Sequence, residues 1–128
     1  MPRQWIGGLR TVTEKRSPIM LVGSMGKRIL AATKRALPRP FSFEWGKGQV
    51  IEEASIKVQM NQHSWEPAVQ LLQFDDGSET LRFCVFHGKQ FSRMPLLISP
   101  DELDALFEEA SKHSQIKTRL MKSASRLR

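Results

Sequence analysis

Residues 68–86 read AVQLLQFDDGSETLRFCVF. Two apolar runs, 68–74 and 80–86, flank Asp75-Asp76-Gly77-Ser78. An Asp-Gly pair between apolar runs marks an antiparallel hairpin, because glycine accepts the positive φ that a tight turn demands. The runs are therefore read as neighbouring strands. Upstream, from Glu52, Ala54, Ile56, Val58 and Met60 alternate with Ser55, Lys57, Gln59 and Asn61, the period of a half-buried strand. A polar break over residues 61–67 separates this strand from the hairpin. Downstream, His87-Gly88-Lys89 makes a tight turn, and residues 90–98 return as a further strand, with Pro95 indicating an edge or a bulge.

Ser99-Pro100-Asp101-Glu102 then marks a helix start, with an N-cap serine, a proline at the first helical position and a glutamate placed to close a capping box. Asp101, Glu102 and Asp104 lie near the positive end of that helix. Leu103, Leu106, Phe107 and Ala110 follow helical spacing, and the helix stops or bends near His113-Ser114 before Ile116, Leu120 and Met121. The fold class is α+β: a four-stranded antiparallel meander followed by one C-terminal helix, or two. Strand 80–86 is apolar on both faces, with Leu81, Phe83 and Val85 on one and Cys84 and Phe86 on the other. One helix covers only one face of a sheet. The second face needs the N-terminal arm, a second copy of the chain in a homodimer, or a flat apolar ligand.

The length of 128 residues suits one domain. One cysteine gives no internal disulfide framework and suits a reducing compartment. No stretch approaches the roughly 20 apolar residues that a membrane-spanning helix needs. The expected setting is intracellular, cytoplasmic or nucleoid-associated, or organellar if the N-terminus is a transit peptide.

The net charge of +7 is unevenly spread. Residues 1–48 hold ten Lys or Arg against Glu14 and Glu44, giving +8. Residues 49–110 hold four basic residues against eleven acidic ones, giving −7, and residues 111–128 hold six basic and no acidic residues, giving +6. Three segments follow: a basic, partly flexible arm over 1–48, an α+β domain over 49–122 and a basic tail over 123–128. Glycines and prolines punctuate the arm. Only residues 27–37 suit a short helix there, with Ile29, Leu30, Thr33 and Leu37 on one side and Pro38 ending it. Two further readings of the arm are an Arg-rich, acid-poor transit peptide and a leader ahead of a start at Met20 or Met25.

Catalytic and metal chemistry find little support. Cys84 and His87 straddle the end of a strand without the paired ligands that zinc requires. No nucleophile elbow accompanies Cys84, His87 and Asp75 or Asp76. The stretch from Gly23 to Arg28 lacks the first glycine of a phosphate loop. The expectation is a protein that is not an enzyme, with no cofactor and no small-molecule substrate. Trp45, in Phe41-Ser42-Phe43-Glu44-Trp45, reads either as a staple holding the arm to the sheet or as a stacking platform for bases.

Residues 90–110, QFSRMPLLISPDELDALFEEA, resemble the end of the positive cofactor four family of single-stranded DNA-binding transcriptional coactivators. There, too, four antiparallel strands end in a basic strand that runs into a capped helix. The resemblance covers residues 54–112. It implies a homodimer that holds single-stranded DNA across its sheets, with Lys89, Phe91 and Arg93 at matching basic or aromatic positions and Arg82 on the preceding strand. The chain departs from the family in the acidity of its domain, which moves phosphate contacts to the flanks. The functional expectation is a small protein that binds single-stranded DNA or RNA non-specifically. Lys27, Arg28, Lys34 and Arg35 would act from the arm, and Lys117, Arg119 and Lys122 from the C-terminal side. The alternative is a protein-interaction or dimerisation module with no nucleic-acid ligand.

Overall fold

The structure, a computed structural model, describes residues 21–22, 26–32, 34–88, 90–91 and 96–127. In chain order the strands are β1 (Leu21–Val22), β2 (Arg28–Ala31), β3 (Arg39–Phe43), β4 (Gly46–Met60), β5 (His63–Phe74), β6 (Glu79–His87) and β7 (Gln90–Phe91), followed by α1 (Pro100–Ala110) and α2 (Ser114–Ala124). All described strand pairs are antiparallel. The meander runs β4-β5-β6-β7, and β2 and β3 both pair with the other edge of β4, β3 opposite residues 46–50 and β2 opposite residues 56–59. The expected α+β order of a meander followed by helices is present, with two helices broken at residues 111–113.

Four local readings change. The helix expected over residues 27–37 does not form: residues 28–31 are strand β2, with Arg28 exposed, Ile29 buried and Ala31 exposed. Pairing with the edge of β4 overrides helix propensity there. Residues 39–43, also in the arm, form strand β3. The polar break over 61–67 shrinks to a two-residue turn, since Met60 pairs with His63 and Asn61 takes φ 58°. The strand expected over 90–98 is formed at Gln90–Phe91; Pro95 lies outside the described residues, and residues 96–99 are irregular. The Asp-Gly turn behaves as read, with Gly77 at φ 91° and its N–H donating to the Phe74 carbonyl at 2.9 Å. In β4, a register shift between Val50 and Glu52 resets the pleat, and past it Glu52 and Glu53 alternate to opposite faces of the sheet.

The helices cover one face. Ile29, Ala54, Ile56, Val58, Val69 and Leu71 form a core with Leu106, Ala110 and Ile116. Leu106 and Ile116 are each fully buried, worth roughly 1.5–3 kcal/mol apiece in transfer free energy. Two carboxylates anchor the helix starts. Glu52 accepts from the N–H groups of Ile116 at 2.9 Å and Gln115 at 3.3 Å, satisfying donors at the start of α2. At α1, the capping box expected of Ser99 and Glu102 is not made. Instead the Lys27 ammonium donates to Ser99 Oγ at 2.8 Å, Asp101 Oδ1 at 3.1 Å and Glu102 Oε2 at 2.8 Å. A full cation outcompetes the backbone N–H for a buried carboxylate.

Burial alone would lower the Lys27 pKa, but the hydrogen bonds to Glu102 and Asp101 outweigh it and hold the ammonium above the ordinary lysine value of 10.5. Burial would raise Asp101, but its bonds with Ser99 and Lys27 keep it below the ordinary 3.8. The stability from Lys27 is therefore present below pH 10.5 and lost as pH rises through its raised pKa, while that from Asp101 is lost as pH falls below 3.8. Lys27→Met strands Glu102 and should cost about 3–5 kcal/mol in denaturant unfolding. Adding Glu102→Leu should recover most of that loss. A single variant as stable as the parent contradicts this account.

Candidate nucleic-acid interface

The pleat places Glu53, Gln70 and Arg82 side by side on the sheet face opposite the helices, because Glu53 pairs with Gln70 on β5 and Gln70 with Arg82 on β6. The side chains form a chain across three strands. Gln70 Nε2 donates to Glu53 Oε2 at 2.6 Å, and Arg82 Nε donates to Gln70 Oε1 at 2.6 Å. Gln70 is wholly buried, so both ends of its amide are committed. Arg39, on β3, closes the other side, with Nη2 donating to Glu53 Oε2 at 2.8 Å and Nη1 to the Ala36 carbonyl at 3.2 Å.

The connection between β2 and β3 reaches over this face. From it Arg35 donates through Nη2 to Glu66 Oε1 at 3.0 Å and lies 3.9 Å above the Phe86 ring. Its Nη1 is buried without a hydrogen-bond partner, 4.0 Å from Glu53 Oε1. The apolar side of β6 that called for a cover thus receives one from the arm at Phe86. Phe41, Phe43 and Trp45 pack on Phe74, with centroids 5.0, 6.3 and 5.3 Å away. Phe41 and Phe43 act as the expected staple; Trp45, at the β3-β4 turn, is 74% exposed.

These groups make an uninterrupted strip of rings and guanidinium groups. Trp45 stacks on Phe43 at 5.1 Å and 16°. The Arg82 guanidinium lies 5.5 Å from the Phe43 ring and 4.5 Å from that of Phe91. Phe91 meets Phe86 edge-on at 5.6 Å, and Phe86 lies under Arg35. The strip runs from the tip of one hairpin to the last strand of the meander. Three arginines (Arg35, Arg39, Arg82) face two carboxylates (Glu53, Glu66), a local formal charge of +1. Burial lowers the Arg82 pKa below the ordinary arginine value. Burial pushes the Cys84 thiol, on the same face, up to about 11.

The residues singled out from the sequence divide into groups. Arg35, Arg82 and Phe91 come together in the strip, with Lys34 exposed beside Arg35 in the same connection. Lys27 is spent on α1, and Arg28 is exposed on β2. Lys117 and Lys122 are exposed on α2, on the opposite side of the sheet, and Arg119 there pairs with Glu79. Lys89 and Arg93 lie outside the described residues. Sequence reading missed Arg39, Phe43 and Phe86 as site residues, and Gln70 as the link between them. The alternation Arg39, Phe41, Phe43 was the available signal: three same-face residues of a strand. Among the described residues, no group of three His, Cys, Asp or Glu side chains is placed to hold a metal ion, and no helix is long and apolar enough to cross a membrane.

Comparison with protein-family models, curated proteins and solved structures returns no match. The functional reading therefore rests on the residues themselves.

A buried, neutral thiol is a poor nucleophile. Cys84 should resist an aromatic disulfide reagent in the native protein at pH 8 and react as one equivalent in denaturant. Rapid native labelling would show that Cys84 is open to solvent and contradict its burial on this face.

Proposed function

We propose that the protein binds single-stranded DNA or RNA across this face, without strong sequence preference. The observation that carries the reading is the continuous strip Trp45–Phe43–Arg82–Phe91–Phe86–Arg35. Unpaired bases offer flat π-faces that stack on such rings whatever their identity. Guanidinium groups stack on bases and also bond phosphates bidentately. A duplex keeps its base faces inside its own stack and gains little from the strip. The exposed Trp45 at one end and the half-exposed Phe91 further along provide the stacking surface. The Glu53–Gln70 chain holds Arg82 in place before any ligand arrives, which reduces the ordering cost of binding. Lys34 adds phosphate attraction from the connection beside Arg35. The proposal carries with it an intracellular setting, in the cytoplasm or at a nucleoid.

The test is fluorescence anisotropy of a labelled 12-mer of thymidine or uridine at low salt, repeated as salt rises. Trp45→Ala and Arg82→Ala should each weaken binding by about tenfold to a hundredfold, the range for losing one stacked base contact. Affinity should fall linearly on a logarithmic salt axis as counterions are released. Absence of binding at low salt, or equal affinity in the parent and both variants, overturns the reading.

A further inference from the structure

The C-terminal helix carries a second charged surface that the strip does not use. We infer that α2 is an independent site for the phosphate backbone of a nucleic-acid duplex.

Ile116 and Leu120 turn into the core, and Glu52 fixes the start of the helix. The outward side bears Lys117 and Lys122, with Arg126 following in the turn after the helix, all exposed. None of these three has an ion-pair partner among the described residues, whereas Arg119 is paired with Glu79 and Lys112 with Glu109. Residues 111–128 contain no carboxylate side chain at all. The exposed acids Asp104 and Glu108 belong to α1, so repulsion confines a polyanion to α2.

The arrangement selects its ligand by what it lacks. There is no aromatic ring on α2 to receive an unstacked base. The contact is thus with phosphate alone, and a duplex has the denser line of phosphates, one charge per about 1.7 Å of axis. From Lys117 to Lys122 the helix rises by about 7.5 Å, and Arg126 lies beyond its end, so the group can meet several of them. A membrane surface is disfavoured because the apolar residues Ile116 and Leu120 face inward, leaving Met121 and the small Ala124 exposed on the helix and Leu127 beyond it, too few for an apolar face. The helix and the strip lie on opposite faces of the sheet, so the two ligands can be held together, as at a junction of paired and unpaired nucleic acid.

The experiment uses the full chain and a variant carrying Lys117→Gln, Lys122→Gln and Arg126→Gln. All three positions are exposed, so the melting temperature should match the parent. Binding of a labelled 20-base-pair duplex should weaken at least tenfold in the variant, and its salt slope should flatten by about 2–3, at roughly 0.9 per lost phosphate contact. Binding of the thymidine 12-mer should change less than twofold, and saturating 12-mer should not displace the duplex from the parent. Trp45→Ala should leave duplex binding intact. An unchanged duplex affinity and slope in the triple variant overturns the inference. So does full displacement of duplex by the 12-mer, or binding to anionic phosphatidylserine vesicles with none to duplex. If the 12-mer fails to bind while duplex binding still depends on α2, the strip reading falls and this one stands.

Discussion

The Glu53 carboxylate is the constraint on which the candidate site depends. Its side chain is 5% exposed on a sheet face that carries both apolar rings and charged groups. A charge so placed must be paired and hydrogen-bonded, because desolvation costs several kcal/mol per ion. Arg39 and Gln70 meet that demand. Each commitment propagates. Arg39 ties β3 to the middle of β4, beyond the backbone pairing of the two strands. Gln70, having given its N–H to Glu53, has its carbonyl left for Arg82, and Arg82 is thereby held between Phe43 and Phe91. The strip is thus positioned by a buried acid through its partners Arg39 and Gln70.

The same logic revises the charge distribution. The stretch 49–110 is formally acidic, which argued against phosphate contact with the sheet. Much of that acidity is spent internally. Glu53 and Glu66 hold arginines, Asp101 and Glu102 hold Lys27, Glu79 holds Arg119, and Glu52 starts a helix. Several basic residues of the arm are spent in the same pairs. Beside the exposed acids Asp75, Asp76, Asp104 and Glu108, what reaches the surface is a local arrangement: rings and guanidinium groups on one face, lysines without ion pairs on the other.

Much of the fold was legible in the sequence, and less of the site. The alternation over 54–60, the Asp-Gly turn and the proline at the start of α1 each express a local rule, and each holds. Residues 27–37 misled because a one-sided apolar stripe among good helix formers also serves an edge strand, where Ile29 alone must be buried. Pairing with β4, more than twenty residues later in the chain, decided it. Ser99 and Glu102 sit where a capping box expects them, yet Lys27, distant in sequence, takes both. The site was hidden by register. Glu53 and Gln70 are opposite each other because the turn at Asn61 has two residues, and the bulge near Ile51, just beyond them, brings Val50 and its partner Arg39 onto the same face. Read with a seven-residue break instead, the two polar side chains look solvated and unrelated.

The most direct measurement is a nitrogen-proton NMR titration of the full chain with a thymidine 12-mer, following the Trp45 indole and the Arg82 Nε–H. Both signals lie on the strip, and the Arg82 proton reports on its bond to Gln70. The account predicts that these two signals shift in a saturable way while the amides of Lys117 and Lys122 on the far side of the sheet stay in place. Shifts confined to the helices, or none at Trp45 and Arg82 under conditions where the oligonucleotide binds, would contradict it.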